Sequence, residues 1–126
     1  MEYNSLMHIG FFTDRMEEMV RFYTEVLGGT VKVVSRYGSY LHRDDRPAMQ
    51  AIAKVRPNDI FNIYVEMAPG QFVEFFPKEE GQKEHTGFNE HLGYSHFALC
   101  VPDIQEAVRE LESRGLTFDT KLSKGP

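Results

Sequence analysis

Two stretches of this chain begin in the same way, and any fold it adopts has to accommodate both. Leu6-Met7-His8-Ile9-Gly10-Phe11-Phe12 reads as a strand. It leads into Thr13-Asp14, with Asp14 as a helix N-cap and Glu17 three residues on, close to a capping box. Tyr94 to Val101 (YSHFALCV) reads as another strand, and Pro102-Asp103 opens another helix, with Asp103 as cap and Glu106 in the third position. His8-Ile9-Gly10-Phe11 therefore aligns on His96-Phe97-Ala98-Leu99, Asp14 on Asp103 and Glu17 on Glu106. Two degenerate copies with one capping scheme point to an internal duplication.

The first copy continues with Met16, Met19, Val20, Tyr23, Val26 and Leu27 at helical spacing, stopped by Gly28-Gly29. Thr30 to Ser35 is β-branched and reads as a strand. A polar stretch from Arg36 to Asn58 holds a short helix over Ala48 to Val55. Ile60 to Met67 and Gln71 to Phe76 are strands joined at Ala68-Pro69-Gly70, a hairpin signal. In the second copy Ile104, Ala107, Val108 and Leu111 form the helical stripe, Gly115 stops it, and Thr117 to Leu122 reads as a strand. The expectation is an α+β fold of paired β-α-β-β-β modules in one domain spanning 1–126. The first module covers about 5–77, a charged linker loop about 78–92, and a second module about 93–126, two strands short at its C-terminal end.

Composition narrows the function. The chain is 41% hydrophobic and carries a net charge of −5, so it can bury a core but offers no basic stripe for nucleic acid. Its longest apolar run, Phe97 to Val101, is far too short to span a bilayer, and Met1 to Ser5 lack the features of a signal segment. Cytoplasmic localisation is the expectation. The single cysteine, Cys100, excludes an internal disulfide and a Cys-rich zinc site, and reads as a buried small hydrophobe.

Strand parity locates the chemistry, because successive side chains point to opposite faces. Met7, Ile9 and Phe11 share one face, and Ser95, Phe97, Leu99 and Val101 share its counterpart. Those apolar sets should meet their helices, which turns His8 and His96 to the opposite side of the sheet. Glu74 is the lone charge in Phe72-Val73-Glu74-Phe75-Phe76. A carboxylate buried there costs several kcal/mol unless paired, protonated or bound to a cation. A single strand histidine is ordinarily structural or exposed. Two at equivalent repeat positions, with Glu74 on a neighbouring strand, instead suggest a divalent-metal site. His42, His85 and His91 lie in loops and read as exposed.

These stretches resemble the vicinal oxygen chelate superfamily, which includes glyoxalase I, fosfomycin- and bleomycin-resistance proteins and extradiol dioxygenases. The matching segments are Met7 to Phe11, Arg21-Phe22-Tyr23 through Val26-Leu27-Gly28, Phe72-Val73-Glu74-Phe75, and Gly93 to Leu99. The resemblance implies concave sheets around a metal, with His8, Glu74 and His96 on three of four ligand positions. It also implies a homodimer and a divalent ion (Zn, Ni, Mn, Co or Fe) acting as Lewis acid on adjacent oxygens of a small-molecule substrate. Glu74 would be the catalytic carboxylate. The implied function is a metal-dependent lyase or isomerase. The alternatives are a non-catalytic binder similar to bleomycin-resistance proteins and a thiol transferase similar to fosfomycin-resistance proteins. Glutathione-dependent glyoxalases carry an arginine four residues after the first histidine; Phe12 stands there and cannot make that ion pair. Tyr64, Phe72, Phe88 and Tyr94 are the candidate aromatic walls.

Overall fold

Four strands, arranged so that the first pairs with the last, organise the N-terminal part of the chain. The computed structural model describes residues 1–87 and 89–124. It divides the chain into two units, Met1–Glu80 and Gly81–Pro126. In the first unit the order is β1 (His8–Thr13), α1 (Met16–Arg21), β2 (Thr30–Arg36), α2 (Pro47–Val55), β3 (Ile60–Ala68) and β4 (Gln71–Pro77). The sheet order is β1-β4-β3-β2. This is an α+β fold with the strand and helix succession of a β-α-β-β-β module.

The β3–β4 hairpin follows from its turn. Gly70 takes a positive φ of 71°, which a glycine adopts without steric cost, and the strands pair antiparallel with Tyr64 opposite Glu74. β1 then docks parallel on β4, with His8 opposite Phe72 and Gly10 opposite Glu74. Hydrogen bonds from Phe72 N to Met7 O (2.8 Å) and from Lys78 N to Thr13 O (2.9 Å) extend the ladder at both ends.

Period-two alternation divides the sheet. Ile63, Val65, Val73 and Phe75 are buried on one face, and Val65 and Phe75 have no exposed surface. Tyr23 packs edge-on against Phe75 with ring centroids 5.2 Å apart, and Ala53 of α2 is fully buried. Burial on this scale contributes about 1.5–3 kcal/mol per large apolar side chain. The helical stripe appears as expected: Met16, Met19, Val20, Val26 and Leu27 are partly buried and Tyr23 is buried, while Glu17, Glu18 and Glu25 are exposed. After α1 the helix widens into a π-helical turn, Phe22–Val26, closed by Leu27 N to Phe22 O at 3.1 Å, and Gly28 ends it at a φ of 82°.

Asp14 does not cap this helix. β1 runs on through Thr13, so the N-cap position falls on Arg15, with no side-chain cap there. Thr13 Oγ1 instead accepts from Arg15 N at 3.0 Å, and the Asp14 carboxylate lies 3.6 Å from Arg15 Nε.

In the second unit, α3 (Ile104–Ser113) forms with the expected cap, Asp103 Oδ1 accepting from Glu106 N at 3.1 Å. It ends in a Schellman arrangement: Leu116 N donates to Leu111 O at 3.0 Å, with Gly115 at a φ of 92°. Residues 94–101 and 117–122 are not strands. An extended segment has no internal hydrogen bonds and needs a neighbour to form a ladder. In the first unit β4 is that neighbour for β1; among the described residues the second unit has no counterpart of β4. For the same reason Cys100 is exposed rather than buried.

Close approach, not φ, requires glycine at position 29. A Cβ there would sit 2.7 Å from Met67 Sδ, 2.7 Å from Val65 Cγ1 and 2.9 Å from Tyr23 O. Gly29→Ala should therefore destabilise the chain by about 1–3 kcal/mol in urea unfolding, the usual cost of overpacking. A loss under about 0.5 kcal/mol would contradict this packing.

Candidate functional site

The face of the sheet opposite the core carries the polar groups. Glu74 is central: it lies on β4 between β1 and β3, and both neighbours supply a partner. His8 Nε2 is 3.3 Å from Glu74 Oε1, and Asn62 Nδ2 donates to Glu74 Oε2 at 2.6 Å. Gly10 lies opposite Glu74 in the register. A Cβ at that position would make ordinary van der Waals contact, 3.8 Å from Oε1 and 3.5 Å from Phe76 Cε2. The Tyr64 ring meets His8 edge-on with centroids 5.7 Å apart, and Phe72 at 5.8 Å. The two side chains differ in exposure: that of His8 is 39% exposed and that of Glu74 is 7% exposed.

A carboxylate this deeply buried needs compensation. The Asn62 bond is charge-assisted, the stronger class of hydrogen bond, worth about 1.5–3 kcal/mol. Its geometry also fixes the amide, since a flipped Asn62 would turn its oxygen toward Oε2. As a result Asn62 Oδ1 is buried without a hydrogen-bond partner. A buried polar atom left unpaired costs about 1–3 kcal/mol. Tyr64 responds to the same environment. Its phenol is raised above the ordinary value of 10.0, first by burial and then by the neighbouring Glu74 carboxylate and its charge.

The donor set suits a divalent metal. An imidazole nitrogen and a carboxylate oxygen are borderline-to-hard ligands that serve Zn, Ni, Mn, Co or Fe. Two bonds of about 2.1 Å opening at about 90–110° put their donor atoms about 3.0–3.4 Å apart. The His8–Glu74 separation of 3.3 Å falls in that interval. Among the described residues no group of three or more His, Cys, Asp or Glu forms a metal-holding cluster. His96 belongs to the second unit, where its Nδ1 lies 2.8 Å from Ser95 Oγ. Tyr94 is also in that unit, and Phe88 lies outside the described residues. His42, His85 and His91 are exposed.

Asn62 escaped the sequence reading, although a signal was present. It is the only amide side chain in Ile60-Phe61-Asn62-Ile63-Tyr64-Val65, and asparagine is depleted in strands. The argument that singled out Glu74, a lone polar group in an apolar strand, applies to Asn62 as well.

The sequence profile of the Glyoxalase/Bleomycin resistance protein/Dioxygenase superfamily matches residues 5–126. The chain belongs to this superfamily. It is also similar to "Glyoxalase I" of Saccharomyces cerevisiae, 31% identical over 119 residues, covering 84% of this chain and 34% of the relative. The chain thus spans about a third of the length of the curated relative it matches. Members of the glyoxalase superfamily bind small molecules and commonly use divalent metals. No helix among the described residues is long and apolar enough to cross a membrane.

Alkaline titration tests the electrostatics of this site. A phenol raised in the folded state stabilises the protein fully below its unfolded value, and that contribution is lost as pH rises through the folded value. The difference spectrum between wild type and Tyr64→Phe should show Tyr64 ionising later than an ordinary phenol. Glu74→Gln should bring that step only part of the way down, because burial is the larger cause. A Tyr64 step at the ordinary value in the wild type would contradict this environment.

Proposed function

We propose that this chain is a metal-dependent enzyme of the glyoxalase type, a lyase or isomerase acting on a small molecule with adjacent oxygens. The observation that carries the reading is the convergence of His8 Nε2 and Glu74 Oε1 at 3.3 Å on a carboxylate that has no Lys or Arg ion-pair partner among the described residues. His8 and Glu74 hold the ion in this reading, with His96 as the third protein ligand. A bound divalent ion supplies Lewis acidity to the two substrate oxygens. Glu74 is also the carboxylate placed to move the substrate proton, the role of a positioned carboxylate in general acid–base catalysis. Tyr64 and Phe72 exclude water from the side of the site next to His8 and orient the organic part of the substrate. The reading extends to a cytoplasmic homodimer, in keeping with superfamily members that often dimerise.

Phe12 sets a limit on the substrate. It is 52% exposed and stacks on Phe76 with centroids 5.2 Å apart, which gives no cation to hold an anionic thiol conjugate there. The glyoxalase reading therefore carries no commitment to glutathione.

Elemental analysis of the untagged chain, purified without chelators and reloaded with Ni, Zn, Mn, Co or Fe, tests the proposal. About one ion per chain or per dimer is expected, falling to near zero in His8→Ala, Glu74→Gln and His96→Ala with unchanged circular dichroism. Unchanged metal content in His8→Ala would remove His8 from the site. A wild type that takes up none of these ions would overturn the metal reading. Stoichiometric ligand capture without turnover would then favour a binder, and thiol-dependent consumption of an epoxide a transferase.

A further inference from the structure

Asn62 is more than nine-tenths buried, and its two polar atoms are treated unequally. Nδ2 donates to Glu74 Oε2 at 2.6 Å, while Oδ1 has no partner. A residue present to satisfy the strand would spend both groups. Where a buried polar pair serves stability alone, apolar side chains of similar shape are commonly as good or better. The Asn62–Glu74 pair thus keeps an unpaired amide oxygen in the interior in order to tie down one oxygen of one carboxylate. The other oxygen, Oε1, is left facing His8 Nε2.

We propose that Asn62 is a positioning residue that clamps Oε2 of Glu74, so that the carboxylate offers a divalent cation Oε1 alone, as a monodentate ligand beside His8. The inference rests on the metal reading for its ligand, but not for the clamp itself. A carboxylate free to turn can bind an ion through both oxygens or swing away from His8. The amide removes that freedom, much as partners behind a metal ligand ordinarily fix its orientation.

The experiment uses the full chain and Co(II). Co(II) affinity and visible absorption are measured for wild type and Asn62→Leu, and the Asn62 side-chain amide is followed by NMR in the metal-free wild type and in Glu74→Gln. Asn62→Leu should weaken Co(II) binding by about 10–100-fold, the range for loss of a partner behind a ligand, and should alter the absorption bands. The Asn62 amide protons should be shifted downfield and slow to exchange, and should move toward ordinary values in Glu74→Gln. Unchanged affinity and absorption in a folded Asn62→Leu would overturn the proposal.

If Asn62→Leu fails to fold, or the wild type takes up no Co(II), the amide signal decides. A shifted, protected amide that responds to Glu74→Gln upholds the clamp in either case, and the metal reading falls only where the wild type takes up no Co(II). An ordinary amide insensitive to Glu74→Gln overturns the clamp.

Discussion

The parallel ladder between β1 and β4 joins the first strand of the N-terminal unit to its last, and the candidate site depends on it. His8 and Glu74 are far apart in sequence, and neither the hairpin nor α1 alone could bring them together. The register sets the outcome, because Gly10 falls opposite Glu74 and His8 opposite Phe72. A slip of one residue would turn His8 into the core and Phe11 out of it. The apolar residues of β1 therefore do double duty: packing Ile9 and Phe11 on the inner face is what points His8 at the carboxylate.

The sheet then separates two kinds of chemistry by strand parity. Val65, Val73 and Phe75 form a dry interior with Tyr23 and Ala53. On the reverse face, Glu74 is buried with Asn62 and His8 as its polar partners and Tyr64 and Phe72 near by. Close packing on the first face gives the second its rigidity, since the strands that carry Glu74 and Asn62 are the two whose alternate residues are most deeply buried. A carboxylate held in this way carries a desolvation cost that the core offsets, the usual relation between a functional group and its scaffold.

Much of this was legible in the sequence, for reasons that are local. The Met16-to-Leu27 stripe, the Pro69-Gly70 turn and the alternation around His8 and Glu74 are each set within a few residues, and each appears in the structure. Asp103 is a cap because the chain before it is free to take the N-cap conformation. Asp14 is not, because a long-range ladder holds β1 through Thr13. The second strand reading failed in the same way: residues 94–101 have the composition of a strand, but a strand is completed by its neighbour. The lone amide of β3 marks Asn62 as unusual for a strand, but its pairing with Glu74 is a cross-strand diagonal that depends on the hairpin register and not on β3 alone.

X-ray absorption spectroscopy of the Co(II)-loaded chain is the most direct test of the central claim, that His8 and Glu74 form a metal-binding pair on the outer face of this sheet. The account predicts a first shell of nitrogen and oxygen donors with imidazole scattering in the wild type, and loss of the bound cobalt signal in His8→Ala. Cobalt surrounded only by water, or a spectrum unchanged in His8→Ala, would contradict it.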